Sequence, residues 1–228
     1  KESINNDDRD KWQLVVVPRI GYLAFDGTTV FIQPRYTTRI FDVGIDDNAN
    51  DPDSQDYELF AGITYDLTGL TFAEFGVGAI HSRFDDRKFD PATAYGFDGS
   101  LIYNVTELIT LTARAQRVNA ATTEDETKVI QTTSYTGGLD YEARDNLILS
   151  AQVTFSEALF KAGDPEFQNG TQLDEKEDAT LTVNLALEYL IGENFFAGIN
   201  IVHVNRNSNR DGSDLTKKRV LFRAGVQL

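Results

Sequence analysis

Apolar and polar side chains alternate along most of the chain with a period of two. Every second residue is apolar from Leu181 to Tyr189, and the stretch Leu147 to Phe155 repeats the pattern. Alternation over nine or ten positions predicts a β-strand with one apolar face, long enough to cross a bilayer when tilted. The same test predicts eleven strands, at residues 12–25, 29–43, 56–66, 70–84, 93–104, 107–118, 131–142, 146–158, 178–190, 194–205 and 217–228. The pattern therefore predicts an all-β protein.

The connections between these strands alternate between short and long. The short ones carry residues typical of tight turns and are Asp26–Thr28, Leu67–Gly69, Asn104–Thr106, Ala143–Asp145 and Ile191–Glu193. The long ones are polar and are Gly44–Gln55, Asp85–Ala92, Asn119–Ile130, Phe160–Glu177 and Arg206–Thr216. This alternation is typical of a transmembrane up-and-down antiparallel β-barrel, with short periplasmic turns and long extracellular loops. A Greek-key sandwich has little reason to keep it.

Composition agrees with a barrel and excludes several other classes. The 228 residues carry a net charge of −15, so clustered cations that could hold nucleic acid are not expected. No apolar run reaches about 18 residues, which excludes transmembrane helices. The chain has no cysteine and 2 histidines, which argues against thiolate chemistry and zinc sites, and we expect no cofactor.

Acidic side chains concentrate in the N-terminal segment and in the loops with their adjoining strand ends, which hold 23 of the 36 acids against 10 basic residues over residues 1–11, 44–56, 85–92, 119–131, 160–178 and 205–216. This charge has two interpretations, ordinary solvation of loops or a rim that collects cations and contacts lipopolysaccharide. The densest group of oxygen ligands is Asp46, Asp47, Asp51 and Asp53. It lacks the spacing of an EF-hand, so the metal that it would bind stays open.

In each predicted strand, the residues that alternate with the apolar ones share the opposite face, which we call the polar parity, and the apolar ones form the lipid or outward parity. The polar parity predicts a lumen lined by charges of both signs. Its members are Arg19, Arg35, Arg39, Glu58, Asp66, Glu74, Asp98, Arg114, Asp140, Glu188, Arg219 and Arg223. A charge on the lipid face costs about 2–4 kcal/mol for Arg or Lys at the midplane, so these residues belong inside. They form either a plug of cross-strand ion pairs or the lining of an aqueous channel.

Tyrosine and proline positions refine this picture. All 9 tyrosines fall on the outward parity, mostly near strand ends, as expected for two interfacial girdles. Pro18 and Pro34 lie inside predicted strands, and proline removes a ladder donor. We therefore expect these strands to be bulged, locally unpaired or at an edge of the sheet.

Catalytic motifs are not evident. No nucleophile elbow, phosphate loop or dinucleotide fingerprint occurs. Glu58 and Glu74 could form an acid/base pair, but a row of lumenal charges explains them without catalysis. His81 lies on the lipid parity, and the parity of His203 is ambiguous, so neither is a persuasive base. We predict that the protein is not an enzyme.

Three stretches resemble an outer-membrane β-barrel porin family of Gram-negative bacteria: Tyr65–Thr71, Leu139–Ala151 and Arg219–Leu228. The resemblance covers roughly residues 55–228 and rests on strand and turn motifs. It implies a barrel in the cell outer membrane and, since members are often encoded beside exopolysaccharide genes, an association with polysaccharide export. Leu228 departs from the C-terminal aromatic residue that is usual in such barrels.

The leading functional hypothesis is a porin-like passive conduit. The alternative is a non-conducting structural barrel that anchors a surface or envelope-spanning complex, and a soluble β-protein is a third, minor one. Expected partners are outer-membrane lipid, lipopolysaccharide and a protein of such a complex, but no nucleic acid. We expect one barrel domain over residues 1–228, with a polar segment at 1–11. Because barrels normally have an even number of strands, the eleven predicted here suggest that upstream strands bring the total to at least 12. The alternative is an incomplete barrel that a partner chain closes.

Overall fold

The computed structural model describes residues 10–42, 53–67, 69–85, 91–121, 127–162, 167–168, 171–172, 175–192 and 194–226. All regular structure in these ranges is β, which confirms the predicted fold class. The strands are β1 (Lys11–Val16), β2 (Ile20–Phe25), β3 (Thr28–Phe41), β4 (Ser54–Leu67), β5 (Thr71–Phe84), β6 (Ala92–Thr106), β7 (Ile109–Ala121), β8 (Thr127–Arg144), β9 (Leu147–Ala162), β10 (Phe167–Gln168), β11 (Thr171–Gln172), β12 (Lys176–Ile191), β13 (Phe195–Ser208) and β14 (Leu215–Val226).

Twelve of these strands form one antiparallel sheet in which neighbours in the chain are neighbours in space. Its order is β1-β3-β4-β5-β6-β7-β8-β9-β12-β13-β14, with β2 also paired to β3. The strands β10 and β11 form a separate hairpin between β9 and β12. Within the described ranges, β1 and β2 form one edge of the sheet and β14 the other. The topology is up-and-down, as the alternating connections predicted.

Proline divides the first predicted strand into two. Residues 17–19 leave the ladder between β1 and β2, so the single strand predicted at 12–25 is wrong. The register is the same on both sides of this gap, which places Pro18 opposite Pro34. Neither residue has an N–H to donate, so the two strands have no ladder bond to form between them there.

The predicted strand ends also need correction. The strand β6 continues through Thr106 with a register shift after Asn104, so the predicted turn Asn104–Thr106 lies within the strand and the observed turn is at Glu107 and Leu108. At the other end, β8 begins at Thr127 rather than at residue 131, and β9 runs to Ala162 rather than to 158. Adjacent apolar residues on opposite faces, Val129 and Ile130 on β8 and Leu159 and Phe160 on β9, hide the period on which the prediction depends.

Tight turns close the short-connection end of the sheet. Gly27 has a φ of 70°, and a β-carbon there would lie 2.5 Å from the carbonyl oxygen of Asp66. Gly69 also has a φ of 70°, and its N–H donates to the Asp66 carboxylate at 3.2 Å. Both positions favour glycine because a side chain rarely adopts this conformation. We call this the turn end of the sheet and the opposite one the loop end.

The two faces of the sheet differ in burial and in residue type. The buried apolar side chains all lie on one face, and they are Phe31, Phe41, Phe60, Ile80 and Phe160. We call this the inner face. The outer face exposes most of the large apolar side chains, as expected for a surface that contacts lipid.

The 9 tyrosines all lie on the outer face, as predicted. On β4, Tyr57 lies toward the loop end and Tyr65 toward the turn end, and Tyr95 and Tyr103 on β6 repeat this eight-residue spacing. At about 3.3 Å per residue, the spacing is roughly 26 Å along the strand. A tilt of about 40° reduces it to roughly 20 Å along the axis, close to the apolar band of outer-membrane barrels.

In the part of the chain that the structure describes, no helix has the length and apolarity needed to cross a membrane.

Candidate functional site

The inner face of β3 to β6, which we call the packed wall, holds ion pairs that are partly or fully removed from solvent. Arg39 of β3 donates to Asp56 of β4 at 2.6 Å, and their side chains are 12% and 3% exposed. Arg35 and Glu58 lie directly opposite each other on the same two strands, with a nitrogen–oxygen distance of 3.4 Å. Charges this enclosed need their partners, because an unpaired charge away from water is strongly unfavourable.

Arg19 extends from the gap beside Pro18 across the packed wall. Its guanidinium donates to both carboxylate oxygens of Glu74, at 3.1 and 2.9 Å, and to the hydroxyl of Thr64 at 2.9 Å. The same guanidinium lies over the ring of Phe31, 3.5 Å from the centroid. Two bonds to one carboxylate and a stacked ring fix the orientation of the side chain. Arg19 therefore links the edge of the sheet to β4 and β5.

Glycines allow two phenylalanine rings to lie flat on the packed wall. Phe31 is opposite Gly62 in the register, and its ring occupies the space that a β-carbon on Gly62 would take. A β-carbon on Gly96 would lie 2.8 Å from the Phe60 ring. The space left between these rings and the ion pairs is about 50 Å³, enough for a few water molecules at most.

The inner face of β7, β8, β9 and β12, which we call the open wall, is built differently. At its boundary with β6, Arg114 donates to Asp98 at 2.9 Å, but these side chains are 57% and 43% exposed. Beside this pair, a cavity of about 320 Å³ opens over β6 to β9. Its size is at the lower end of the range for small-molecule sites.

Uncharged polar side chains cover most of the open wall. The hydroxyls of Thr136 and Thr154 are 3.0 Å apart on neighbouring strands. Residues of the same kind on this face are Thr132, Ser134, Gln152, Ser156, Thr180, Thr182 and Asn184. The carboxamide oxygen of Asn184 is buried with no hydrogen-bond partner among the described residues. These side chains therefore present hydrogen-bond donors and acceptors that carry no charge.

Charged side chains form ion pairs again on the inner face of β12 to β14. Arg223 of β14 passes over Gly198 of β13 and donates to Glu188 of β12 at 2.5 Å. Arg206 and Asp178 approach to 3.8 Å near the loop end. Both contacts again join an arginine to a carboxylate on the inner face.

The predicted lumen-lining residues all lie on the inner face. Ion pairs join Arg19 to Glu74, Arg35 to Glu58, Arg114 to Asp98 and Arg223 to Glu188, while Arg39 pairs with Asp56. Asp140 accepts from Ser150 at 2.5 Å, Asp66 accepts from the turn, and Arg219 lies opposite Val202. That these side chains line a lumen stays a prediction.

Glu58 and Glu74 each bind an arginine, Arg35 and Arg19 respectively, so they serve as ion-pair partners. His203 lies on the outer face, opposite Val183 and Lys218, which resolves its parity. His81 is also on the outer face, with Nδ1 2.8 Å from the hydroxyl of Thr93.

The predicted metal ligands lie mostly outside the described residues, and these are Asp46, Asp47 and Asp51. Asp53 is described, and its carboxylate accepts the backbone N–H of Phe41 at 2.7 Å. No group of three or more metal-ligating side chains occurs within the described ranges.

Sequence reasoning misses several inner-face residues. Asp56 shares the parity of Glu58, yet it counts among the acidic loop residues because it lies at the start of its strand. Asp178 is missed for the same reason at the start of β12. Thr64 and the hydroxyl-bearing residues of the open wall carry no charge, so a search for charges passes over them. Period-two runs of Ser, Thr, Asn and Gln are the signal that could find them.

Comparison with known proteins places this geometry among outer-membrane barrels. The family model described as "Putative beta-barrel porin 2" matches residues 1–228. No curated protein matches the chain in sequence.

Three solved structures share the fold. The outer membrane channel DcaP of Acinetobacter baumannii has a TM-score of 0.60 at 15% identity, over 100% of this chain and 67% of that one. The copper transporter OprC has a TM-score of 0.61 at 13% identity, over 95% of this chain and 41% of OprC. The FrpB iron transporter from Neisseria meningitidis has a TM-score of 0.58 at 10% identity, over 89% of this chain and 37% of FrpB. The chain thus spans less than half the length of the two transporters.

Proposed function

The chain belongs to the family described as "Putative beta-barrel porin 2" and is a porin-like outer-membrane β-barrel, and from this premise we propose that it is a passive conduit for small polar solutes. The observation that carries the proposal is the open wall, where a cavity of about 320 Å³ on the inner face is lined largely by hydroxyl and amide side chains together with Arg114. Water and polar solutes need such a surface, since an apolar lining would exclude them.

Planar-bilayer recording tests the conduit. The folded protein should give discrete openings in KCl, and a preparation that inserts without conducting contradicts the proposal. A matched pair of variants locates the path: Thr154→Trp fills the open wall and should reduce the conductance by half or more. Gln33→Trp, on the packed wall, should change it less, because little free space exists there.

A second candidate is a non-conducting structural barrel that anchors an envelope complex through a protein partner. The packed wall supports it, because its rings and enclosed ion pairs leave room for a few water molecules at most. Under this proposal, an affinity-purified barrel retains a stoichiometric partner, and deletion of residues 160–177 releases it. A barrel that purifies alone from its native envelope and conducts in bilayers rejects this candidate.

The orientation that we propose places the loop end outside the cell and the turn end in the periplasm. The acidic excess in the loops and the two levels of outer-face tyrosines support it. Single cysteines are a clean probe because the chain has none. A cysteine at Asn209 should react with an impermeant maleimide on whole cells, whereas a cysteine at Asp145 should react only after the outer membrane is opened. The reverse result overturns the orientation.

We also propose contact with lipopolysaccharide at the loop end of the outer face. Arg117 donates from Nε to Thr133 at 2.8 Å, and a cavity of about 250 Å³ adjoins these residues together with Glu157 and Glu177. An arginine binds phosphate directly, and the carboxylates suit a divalent cation that bridges to it. Arg117→Ala should reduce the lipopolysaccharide that co-purifies, whereas Arg219→Ala on the inner face should not. Equal amounts in both variants contradict the site.

The biological setting that we propose is polysaccharide export, which the sequence motifs imply and the hydroxyl-rich open wall supports. Deletion of the gene should lower secreted polysaccharide without lowering its intracellular precursor. Unchanged secretion separates the conduit from this pathway.

A further inference from the structure

Two rows of paired side chains on β6 to β9 form the base of the cavity in the open wall. Each row is made of inner-face residues directly opposite one another. One row is Ser100, Arg114, Thr136 and Thr154. The other is Ile102, Thr112, Gly138 and Gln152. Hydroxyls, an amide and one guanidinium therefore converge on a space of about 320 Å³.

Gly138 shapes this base. The hydroxyl of Thr112 lies where a β-carbon on residue 138 would be, so a larger residue would displace Thr112 or fill the cavity. The apolar side chain of Ile102 borders the same space in the row of Thr112. The cavity thus combines polar groups with an apolar patch, the usual composition of a site that orients a small molecule.

Arg114 is the charged residue that lines the cavity, and Asp140, one row beyond Gly138 on the same face, accepts from Ser150. Arg114 is paired with Asp98 at 2.9 Å, so its guanidinium already has an anionic partner. The β8 and β9 positions in the two rows are uncharged. The hydroxyls of Thr136 and Thr154 bond to each other, and each can accept a further hydrogen bond. An ionic solute finds no unpaired counter-charge here, whereas a neutral molecule with several hydroxyls can exchange hydrogen bonds at many points.

We propose that this cavity is a subsite for one unit of an uncharged sugar, so that the conduit favours neutral polyhydroxylated solutes over ions of similar size. This inference rests on the proposed conduit and names its solute class. Gln152, Thr136 and Thr154 supply the hydrogen bonds, Ile102 offers an apolar surface to the C–H face of the ring, and Gly138 leaves the room.

The experiment uses the full chain and maltose as a neutral probe, with two readouts. In bilayers, maltose should interrupt the KCl current in a concentration-dependent way. In detergent, saturation-transfer NMR should detect maltose on the folded barrel whether or not it conducts. Gln152→Leu should weaken the apparent maltose affinity roughly fivefold, the scale of one lost hydrogen bond. Gln33→Leu, the same change on the packed wall, should stay within about twofold.

The isosteric variants Thr136→Val and Thr154→Val keep the proposal testable if Gln152→Leu fails to fold, and each should weaken maltose binding. A barrel that conducts KCl but does not bind maltose overturns the subsite and leaves the conduit standing. Maltose binding without conductance overturns the conduit and leaves the subsite. Tighter binding of galacturonate than of maltose, or equal effects of the Gln152 and Gln33 variants, also overturns the sugar subsite.

Discussion

The packed wall and the open wall share one sheet and one pattern of strand pairing, yet small residues serve opposite purposes on them. On the packed wall, Gly62 and Gly96 admit the rings of Phe31 and Phe60, and the space closes to about 50 Å³. On the open wall, Gly138 admits only the small Thr112 side chain, and the threonine and serine side chains leave about 320 Å³ unfilled. Register decides which residues face inward, but side-chain volume decides whether the inward face is solid.

The largest difference should appear when a carboxylate is removed from an ion pair. Asp56→Asn leaves the enclosed Arg39 without its anion and should destabilise the protein by about 3 kcal/mol. Asp98→Asn removes the exposed partner of Arg114 and should cost about 1 kcal/mol or less. Denaturant unfolding, followed by the fluorescence of Trp12, the single tryptophan, measures the loss of unfolding free energy in both variants. Equal costs would mean that the two walls do not differ in ion-pair burial.

Glycine substitution should give the next largest contrast. Gly62→Ala forces a methyl group into the Phe31 ring and the backbone of β5, and overpacking of this kind costs about 2 kcal/mol. On β8, a methyl group added to Gly137 would have no neighbour within 4 Å, so Gly137→Ala should be neutral or stabilising by about 0.5 kcal/mol. The same unfolding assay compares them, and a tolerated Gly62→Ala contradicts the ring packing.

Two arginines should separate stability from ion selectivity. Arg19→Met loses the Phe31 stack and the Glu74 and Thr64 bonds, and should cost about 1 kcal/mol or somewhat more. Arg114→Met should cost about 0.5 kcal/mol, because the pair is exposed. The reversal potential of this second variant in a KCl gradient should shift further toward cations, since Asp98 then faces the open cavity. A larger selectivity shift from Arg19→Met would reverse the assignment of the two walls.

The smallest effects should come from hydroxyl groups. Thr154→Val removes one neutral bond to Thr136 in a solvated setting and should cost about 0.5 kcal/mol. Thr64→Val removes a hydroxyl that accepts from Arg19 and donates to Glu74, so its cost should be about 1–2 kcal/mol. Thermal unfolding of the two isosteric variants is the measurement, and a Thr154 effect that exceeds the Thr64 effect argues against the comparison.

The sequence was enough to predict the order of the long strands and the two faces of the sheet. Alternation marked the strands, short turns such as Asp26–Thr28 paired neighbours, and the tyrosines marked the lipid side. Prediction failed where local pattern was weak. The ladder stops at Pro18, the hairpin β10–β11 has two residues per strand, and the ends of β8 and β9 carry apolar residues on both faces.

The candidate site was less accessible to prediction. The inward charges were identified, but their partners were not, because parity says which face a residue is on and nothing about its level along the barrel. Arg19 and Glu74 are 55 residues apart. The registers align Arg19 with Gly78 rather than with Glu74, so the two residues meet because the long Arg19 side chain crosses the sheet diagonally. The open wall was missed because it is uncharged.

The sequence by itself determined an all-β chain with an apolar outer face, a polar inner face and an up-and-down order, since these follow from a period of two and from turn length. The tertiary structure decided which inward residues touch and how much space remains between them. Those outcomes depend on the registers of several successive strand pairs and on the volumes of the side chains that meet across them. Phe31 and Gly62, for example, are on different strands, so no local stretch of sequence contains both residues.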